Sequence, residues 1–273
     1  MNKEDWRRSN VDSIILMLSK AIKKENKYCK FGISPFGVWR NSDKDPEGSN
    51  TKAGQTNYDD LYADILLWLK NKWIDYVAPQ LYWEFSQKVV PFATLIDWWA
   101  NHSYGRQLYI GHGIYRSGES KSIAWKNPDE LPHQIKKVRE YPQVQGSIYF
   151  SSKTFNRNPN GWNDSLQNNY YKYPAIIPPM PWIYDTKPQT LLLSAEIVDP
   201  HPNSKDIVLH ISPHRSSGIK QYAFYLSNSE DTNAGIYKIL PSAKDMYLNI
   251  PAGTLPAEWN NFYISITAIS RTN

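Results

Sequence analysis

The feature that most constrains this chain is a change of period along it. Up to about residue 155, short apolar runs alternate with stretches whose apolar residues recur at helical spacing. Beyond residue 189 the runs are short and follow a period of two, with turns between them. The first pattern predicts parallel β-strands joined by helices, and the second predicts an all-β unit.

In the first region, strands are expected near 30–38, 75–83, 107–115 and 146–152. Helices are expected over 8–26, 58–72, 89–103 and 128–141, with Ser9 or Asn10 capping the first. The strand repeat, about 31–44 residues, is close to one eighth of a typical (β/α)8 barrel. The expected fold is therefore α/β, the second half of a (β/α)8 TIM-type barrel with four parallel strands. The chain opens on a helix, as if a strand should precede it. Three arrangements accommodate this: a piece of a longer protein, an open four-stranded sheet, or two copies completing one another. An open parallel edge favours association, so self-association through that edge is one expected partnership. The expected domains are 1–173, a proline-rich linker at 174–188, and a small β-sandwich at 189–273.

Composition narrows the function classes. Of the 273 residues, 14% are aromatic, a share that suits saccharide stacking as well as a densely packed core. The net charge of +5 comes from scattered basic residues such as Arg7, Arg8, Lys136 and Lys137. A nucleic-acid site would instead show a clustered basic patch, so no nucleic-acid partner is expected. The single cysteine, Cys29, excludes an internal disulfide and multi-cysteine metal sites, and it reads as a small buried apolar residue. No apolar run is long enough to span a membrane, and the start, MNKEDWRRSN, is polar.

In parallel barrels, ligand groups sit where the strands exit. The first exit offers Ser34, Trp39 and Arg40; the second Gln80, Tyr82, Trp83 and Glu84; the third His112, Tyr115 and Arg116; the fourth Tyr149. Four such clusters at one end predict a shared pocket. Asp75, at the start of its strand, is expected to be structural. Glycoside hydrolysis needs two carboxyl groups, one of them protonated. Glu84 beside Tyr82 and Trp83 is the candidate acid, with His112 as a candidate acid–base group. No partner carboxylate is evident at another exit unless Glu119 folds back. Asp59, Asp60 and Asp64 read as helix-start residues. The string DKDPEGSNTKAG starts like a calcium loop but has Gly54 where the closing glutamate belongs, so it reads as a substrate-facing loop. No metal and no cofactor are expected.

The strings WRRSNVDSIILMLSKAIKKENKYCKFGISPFGVWRN, TNYDDLYADILLWLKNKWIDYVAPQLYWEF, YIGHGIYR and QGSIYFSSKTF resemble the bacterial glycosyl-hydrolase-like proteins related to family-10-like glycosylhydrolase lipoproteins. The resemblance covers residues 5–185, and the tail resembles a fibronectin type III-like domain. It implies a (β/α)8 barrel that hydrolyses glycosidic bonds in peptidoglycan glycan strands, in the periplasm or at the cell surface. It also implies that four strands and an acidic motif lie upstream of Met1, so this chain alone is expected to be inactive. The positions it carries over as pocket residues are Ser34, Trp39, Arg40, Gln80, Tyr82, Trp83, His112 and Tyr115. Two other classes fit the same residues: a non-catalytic carbohydrate-binding protein of the cell envelope, and a structural surface module.

Overall fold

The computed structural model describes residues 1–184, 193–198, 206–213, 218–229, 234–259 and 261–273. The chain divides into two compact units, Met1–Tyr170 and Tyr171–Asn273.

The first unit opens with α1 (Lys3–Glu25), which starts well before residue 8. Its cap is Asn2, whose side-chain oxygen accepts from the Asp5 amide at 2.8 Å. Glu4 and Asp5 in the first turn and Lys23 and Lys24 in the last oppose the helix dipole favourably. Four parallel strands follow, β1 (Gly32–Ile33), β2 (Tyr76–Val77), β3 (Gln107–His112) and β4 (Val144–Tyr149), in the order β1-β2-β3-β4. This is a partial α/β barrel. The first two strands are shorter than their apolar runs because Pro35 and Pro79 have no amide hydrogen to give the ladder. Single bridges, Phe36 to Gln80 and Gln80 to Gly111, carry the pairing on to the exit ends.

The strands are joined by α2 (Ile65–Lys70), α3 (Phe92–Asn101), α4 (Arg116–Glu119) and α5 (Glu130–Val138). Helix α2 is less than half the expected length and starts late, at Ile65. Asp64 caps it by accepting from the Leu67 amide at 3.1 Å, whereas Asp59 and Asp60 are drawn into a turn by Arg40 and by the Thr56 amide. Only Asp64 therefore plays the expected helix-start role. Leu108 and Ile110 on β3 bury completely against a layer that includes Ile65, Leu69, Phe92, Leu95 and Trp99. Each such side chain contributes about 1.5–3 kcal/mol relative to exposure. Asp75, just before β2, is buried, pairs with Lys23 at 2.6 Å and accepts from the Phe31 amide at 2.8 Å. It ties the end of α1 to the start of two strands.

Two expectations are corrected here. Cys29 is exposed, because it lies in the turn between α1 and β1 rather than inside the strand. The 43–54 string lines neither of the hollows at the strand exits. Asn41 folds it by accepting from the Ala53 amide and the Thr51 hydroxyl. Glu47 binds Lys70 in the last turn of α2 at 2.7 Å and accepts from Tyr104, so the carboxylate in the middle of the string is held by α2 and the turn after α3.

The second unit is all-β. Strands β5 (Leu193–Val198), β6 (Ile207–Pro213) and β9 (Met246–Ile250) form one antiparallel sheet in the order β5-β6-β9. Strands β7 (Ile219–Ser227), β8 (Ile236–Pro241) and β10 (Tyr263–Ser270) form another in the order β10-β7-β8. Leu209, Ile211, Met246 and Leu248 of one sheet share a core with Tyr222 and Phe224 of the other. Of the expected linker, residues 174–184 run with this unit: Met180 is buried and its amide donates to the Thr272 carbonyl at 2.7 Å. Residues 185–188 of that linker, and the first residues of the run that becomes β5, lie outside the described residues.

Candidate functional site

At the strand exits of the first unit, Phe36, Gln80, Tyr82, Trp83, Tyr115, Arg116 and Phe150 line a cleft of about 360 Å³. Each exit contributes to it. Tyr82 lies parallel to Phe150 (6.1 Å, 29°) and edge-on to Tyr115 (5.9 Å, 77°), while Trp83 stands edge-on to Phe36 (5.5 Å, 85°). Two glycines make these approaches possible. A Cβ on Gly37 would lie 2.5 Å from both the Gln80 carbonyl oxygen and the Trp83 ring, and one on Gly113 would lie 2.8 Å from the Tyr82 Cβ. Burial pushes the Tyr82 phenol above its ordinary pKa, with Tyr115 adding to the effect, so it stays a neutral hydrogen-bonding group. Arg116 is the one charged residue among the described residues lining the cleft, and its buried Nε has no hydrogen-bond partner. Gln80 Nε2 donates to the Ser34 carbonyl at 3.1 Å and also borders a second hollow beside β1, lined in part by Ser34 and Asn57.

Of the residues singled out from sequence, Gln80, Tyr82, Trp83 and Tyr115 meet in this cleft. Ser34 lines the neighbouring hollow, with its hydroxyl donating to the Ala78 carbonyl at 2.9 Å. The others stand elsewhere. His112 turns away from the cleft and is fully buried. Its Nδ1 donates to Gln134 Oε1 at 2.8 Å and its Nε2 accepts from the Ser147 hydroxyl at 3.1 Å. It shares the outward parity of Leu108 and Ile110, so the strand's own alternation points it at α3 and α5. Desolvation lowers its pKa to about 4, against a smaller opposing effect of the Gln134 hydrogen bond. It is a neutral structural imidazole at the pH where a general base would work.

Tyr149 stacks on His112 (5.2 Å, 20°) in the same outer layer. Trp39 is buried between Trp98 and Tyr58. Arg40 is consumed by ion pairs to Asp59 at 2.7 Å and Asp45 at 3.0 Å, with its guanidinium over the Tyr58 ring. Glu84 lies just past the cleft, where its carboxylate accepts from Trp125 Nε1 at 2.9 Å. Glu119 is exposed on α4 and does not line the cleft. Phe36 and Phe150 were missed. Phe150 follows Tyr149 by one residue and so faces the opposite side of the sheet, which is the signal that would have found it.

Residues 1–127 match the family model described as Glycosyl hydrolase-like 10. The chain is also 42% identical over 226 residues, 82% of its length, to the glycosyl hydrolase YngK of Bacillus subtilis. The chain belongs to a glycosyl-hydrolase-like family. A second relative, the glycosyl hydrolase DigH of Escherichia coli K12, is 37% identical over 166 residues, 57% of this chain. The aligned parts are 44% of YngK and 37% of DigH, so the chain spans less than half the length of these relatives. The strand-exit cleft is a concave, largely aromatic site at one end of the parallel sheet. It presents flat aromatic faces, an amide, phenols and one guanidinium.

Proposed function

We propose that the first unit supplies the substrate-holding side of a glycoside hydrolase active on peptidoglycan glycan or a related cell-wall polysaccharide. The observation that carries this reading is the convergence of Gln80, Tyr82, Trp83, Tyr115 and Arg116 on one cleft. Aromatic faces stack on the C–H faces of sugar rings, and amides and phenols satisfy hydroxyls. Arg116, with an unsatisfied Nε, suits a carboxylate carried by an acidic sugar substituent. Glu84 is the nearest candidate acid in sequence, and catalysis requires it to release Trp125 and turn inward. A second carboxyl group is needed as well, and the relatives' names support hydrolysis by the longer proteins. This chain alone is therefore expected to bind glycan without turning it over. Self-association through the open β1 edge, residence in the periplasm or at the cell surface, and a fibronectin type III-like character for the second unit belong to the same reading.

One observation favours a second reading, a carbohydrate-binding protein without chemistry: no aspartate or glutamate is among the described residues lining the cleft. Sugar release from isolated glycan strands separates the two when measured on a version extended to the length of the relatives. Release that disappears in Glu84→Gln supports hydrolysis with Glu84 as the acid. Glycan retention with no release by either protein supports binding alone.

A further inference from the structure

The second unit holds a hollow of its own, of about 780 Å³, separate from the cleft of the first. Its floor is the rim of the β-core, at Leu226 and Leu255. Three aromatic residues surround it, Tyr173, Tyr237 and Trp259, with Asn228, Ser229 and Thr254 among the polar lining groups. Tyr173 is 54% exposed although its ring rests on the backbone of Gly235, where a Cβ would lie 2.5 Å from the ring. The backbone therefore keeps a bare position so that an aromatic face can stand beside the hollow in contact with solvent. The Lys172 ammonium lies 5.5 Å from the Tyr173 ring centre and is the one charged group among the described lining residues.

We propose that this hollow is a second carbohydrate-binding site, which takes a stretch of neutral glycan. The volume is within the range of small-ligand sites, roughly 300–1,000 Å³. Aromatic faces paired with neutral amide and hydroxyl groups suit a ligand that is apolar on its ring faces and rich in hydroxyls at its edges. An anionic polymer would require several cations here, and a purely apolar partner would leave Asn228, Ser229 and Thr254 desolvated without hydrogen bonds. The choice of a glycan as occupant rests on the function proposed above. Two sites on one chain hold a polymer more tightly than either does alone, because the second binding step is intramolecular.

The test is calorimetric titration of the full chain with a soluble N-acetylglucosamine tetramer, comparing wild type with Trp259→Ala, Tyr173→Ala and Tyr82→Ala. Circular dichroism verifies that each variant is folded. Tyr173→Ala alters a half-exposed side chain and guards against a folding defect in Trp259→Ala. Trp259→Ala and Tyr173→Ala are each expected to weaken one binding step about tenfold while the step sensitive to Tyr82→Ala persists. Unchanged stoichiometry and affinity in both folded variants overturn the proposal. Loss of the Tyr173 and Trp259 step with no effect of Tyr82→Ala would retain this site and remove the strand-exit cleft as a glycan site, so the two readings fail separately.

Discussion

Gln134 joins His112 to the strand-exit loop. Its side-chain oxygen accepts from His112 Nδ1 at 2.8 Å, and its nitrogen donates to Glu130 Oε1 at 2.8 Å and to the Trp83 carbonyl at 3.2 Å. Glu130 Oε1 also accepts from the Phe85 amide at 2.7 Å. A buried network on α5 thus fixes the backbone at residues 83–85, which carries Trp83 into the cleft and places Glu84 beside it. His112 therefore serves the cleft at one remove, as a positioning residue. Gln134→Leu leaves the Trp83 carbonyl and His112 Nδ1 without a partner, and a loss of about 1–3 kcal/mol in urea unfolding is expected. Glycan affinity should fall with it, since the loop is no longer pinned.

The pH response of the first unit follows from His112. Its folded pKa, about 4, is below the ordinary 6.5 because burial disfavours the charged ring. The neutral ring contributes fully above pH 6.5. That contribution is lost as pH falls toward 4, because the unfolded state takes up a proton that the folded state refuses. The loss is on the order of 3 kcal/mol over that window. Unfolding free energies at a series of pH values, with His112→Leu as the control that flattens this dependence, check it.

The second unit carries the opposite dependence. His210 is half-buried between Glu196 and Asp245, each 3.0 Å from one ring nitrogen, and its pKa is raised by the Glu196 hydrogen bond first and the Asp245 hydrogen bond second. Its stabilising effect is present below the unfolded value of 6.5 and disappears as pH rises through the higher folded value. Following the His210 ring resonances by NMR gives its titration directly. A midpoint above 6.5 in wild type that falls in Glu196→Gln is the expected result.

Gly37 tests the packing of the cleft without altering any polar group in it. Gly37→Ala forces a methyl group against a backbone carbonyl and the Trp83 ring, both 2.5 Å away, and one of them must move. A destabilisation of about 1–3 kcal/mol is expected, accompanied by altered Trp83 fluorescence and weaker glycan binding. Arg40→Lys offers a contrast. It removes the paired contact to Asp59 and loosens the 41–59 segment, yet should leave glycan affinity unchanged because Arg40 does not line the cleft.

Much of the architecture was legible in the residues. The helical and two-residue periods gave the parallel sheet and the all-β unit, because burial of a face is what those periods encode. Position along a strand also placed Asp75 at a structural junction and Gln80, Tyr82, Trp83 and Tyr115 at a common exit. What remained illegible was direction and partnership. His112 and Tyr149 sit at exits but on the outward parity, and a run of aromatics hides which of them alternate. Arg40 and Trp39 were claimed by Asp59 and Trp98, partners far along the chain that no local pattern announces. The late start of α2 came from the same cause, since Arg40 and Thr56 hold Asp59 and Asp60 in a turn.

The central claim is that the strand exits form one saccharide-binding surface. Affinity for a soluble peptidoglycan glycan fragment, measured by calorimetry on the full chain and on Tyr82→Ala, Trp83→Ala and Arg116→Ala, tests it most directly. Each variant is expected to weaken the same binding step, the two aromatic changes by about tenfold. Wild-type affinity in all three folded variants would contradict the claim.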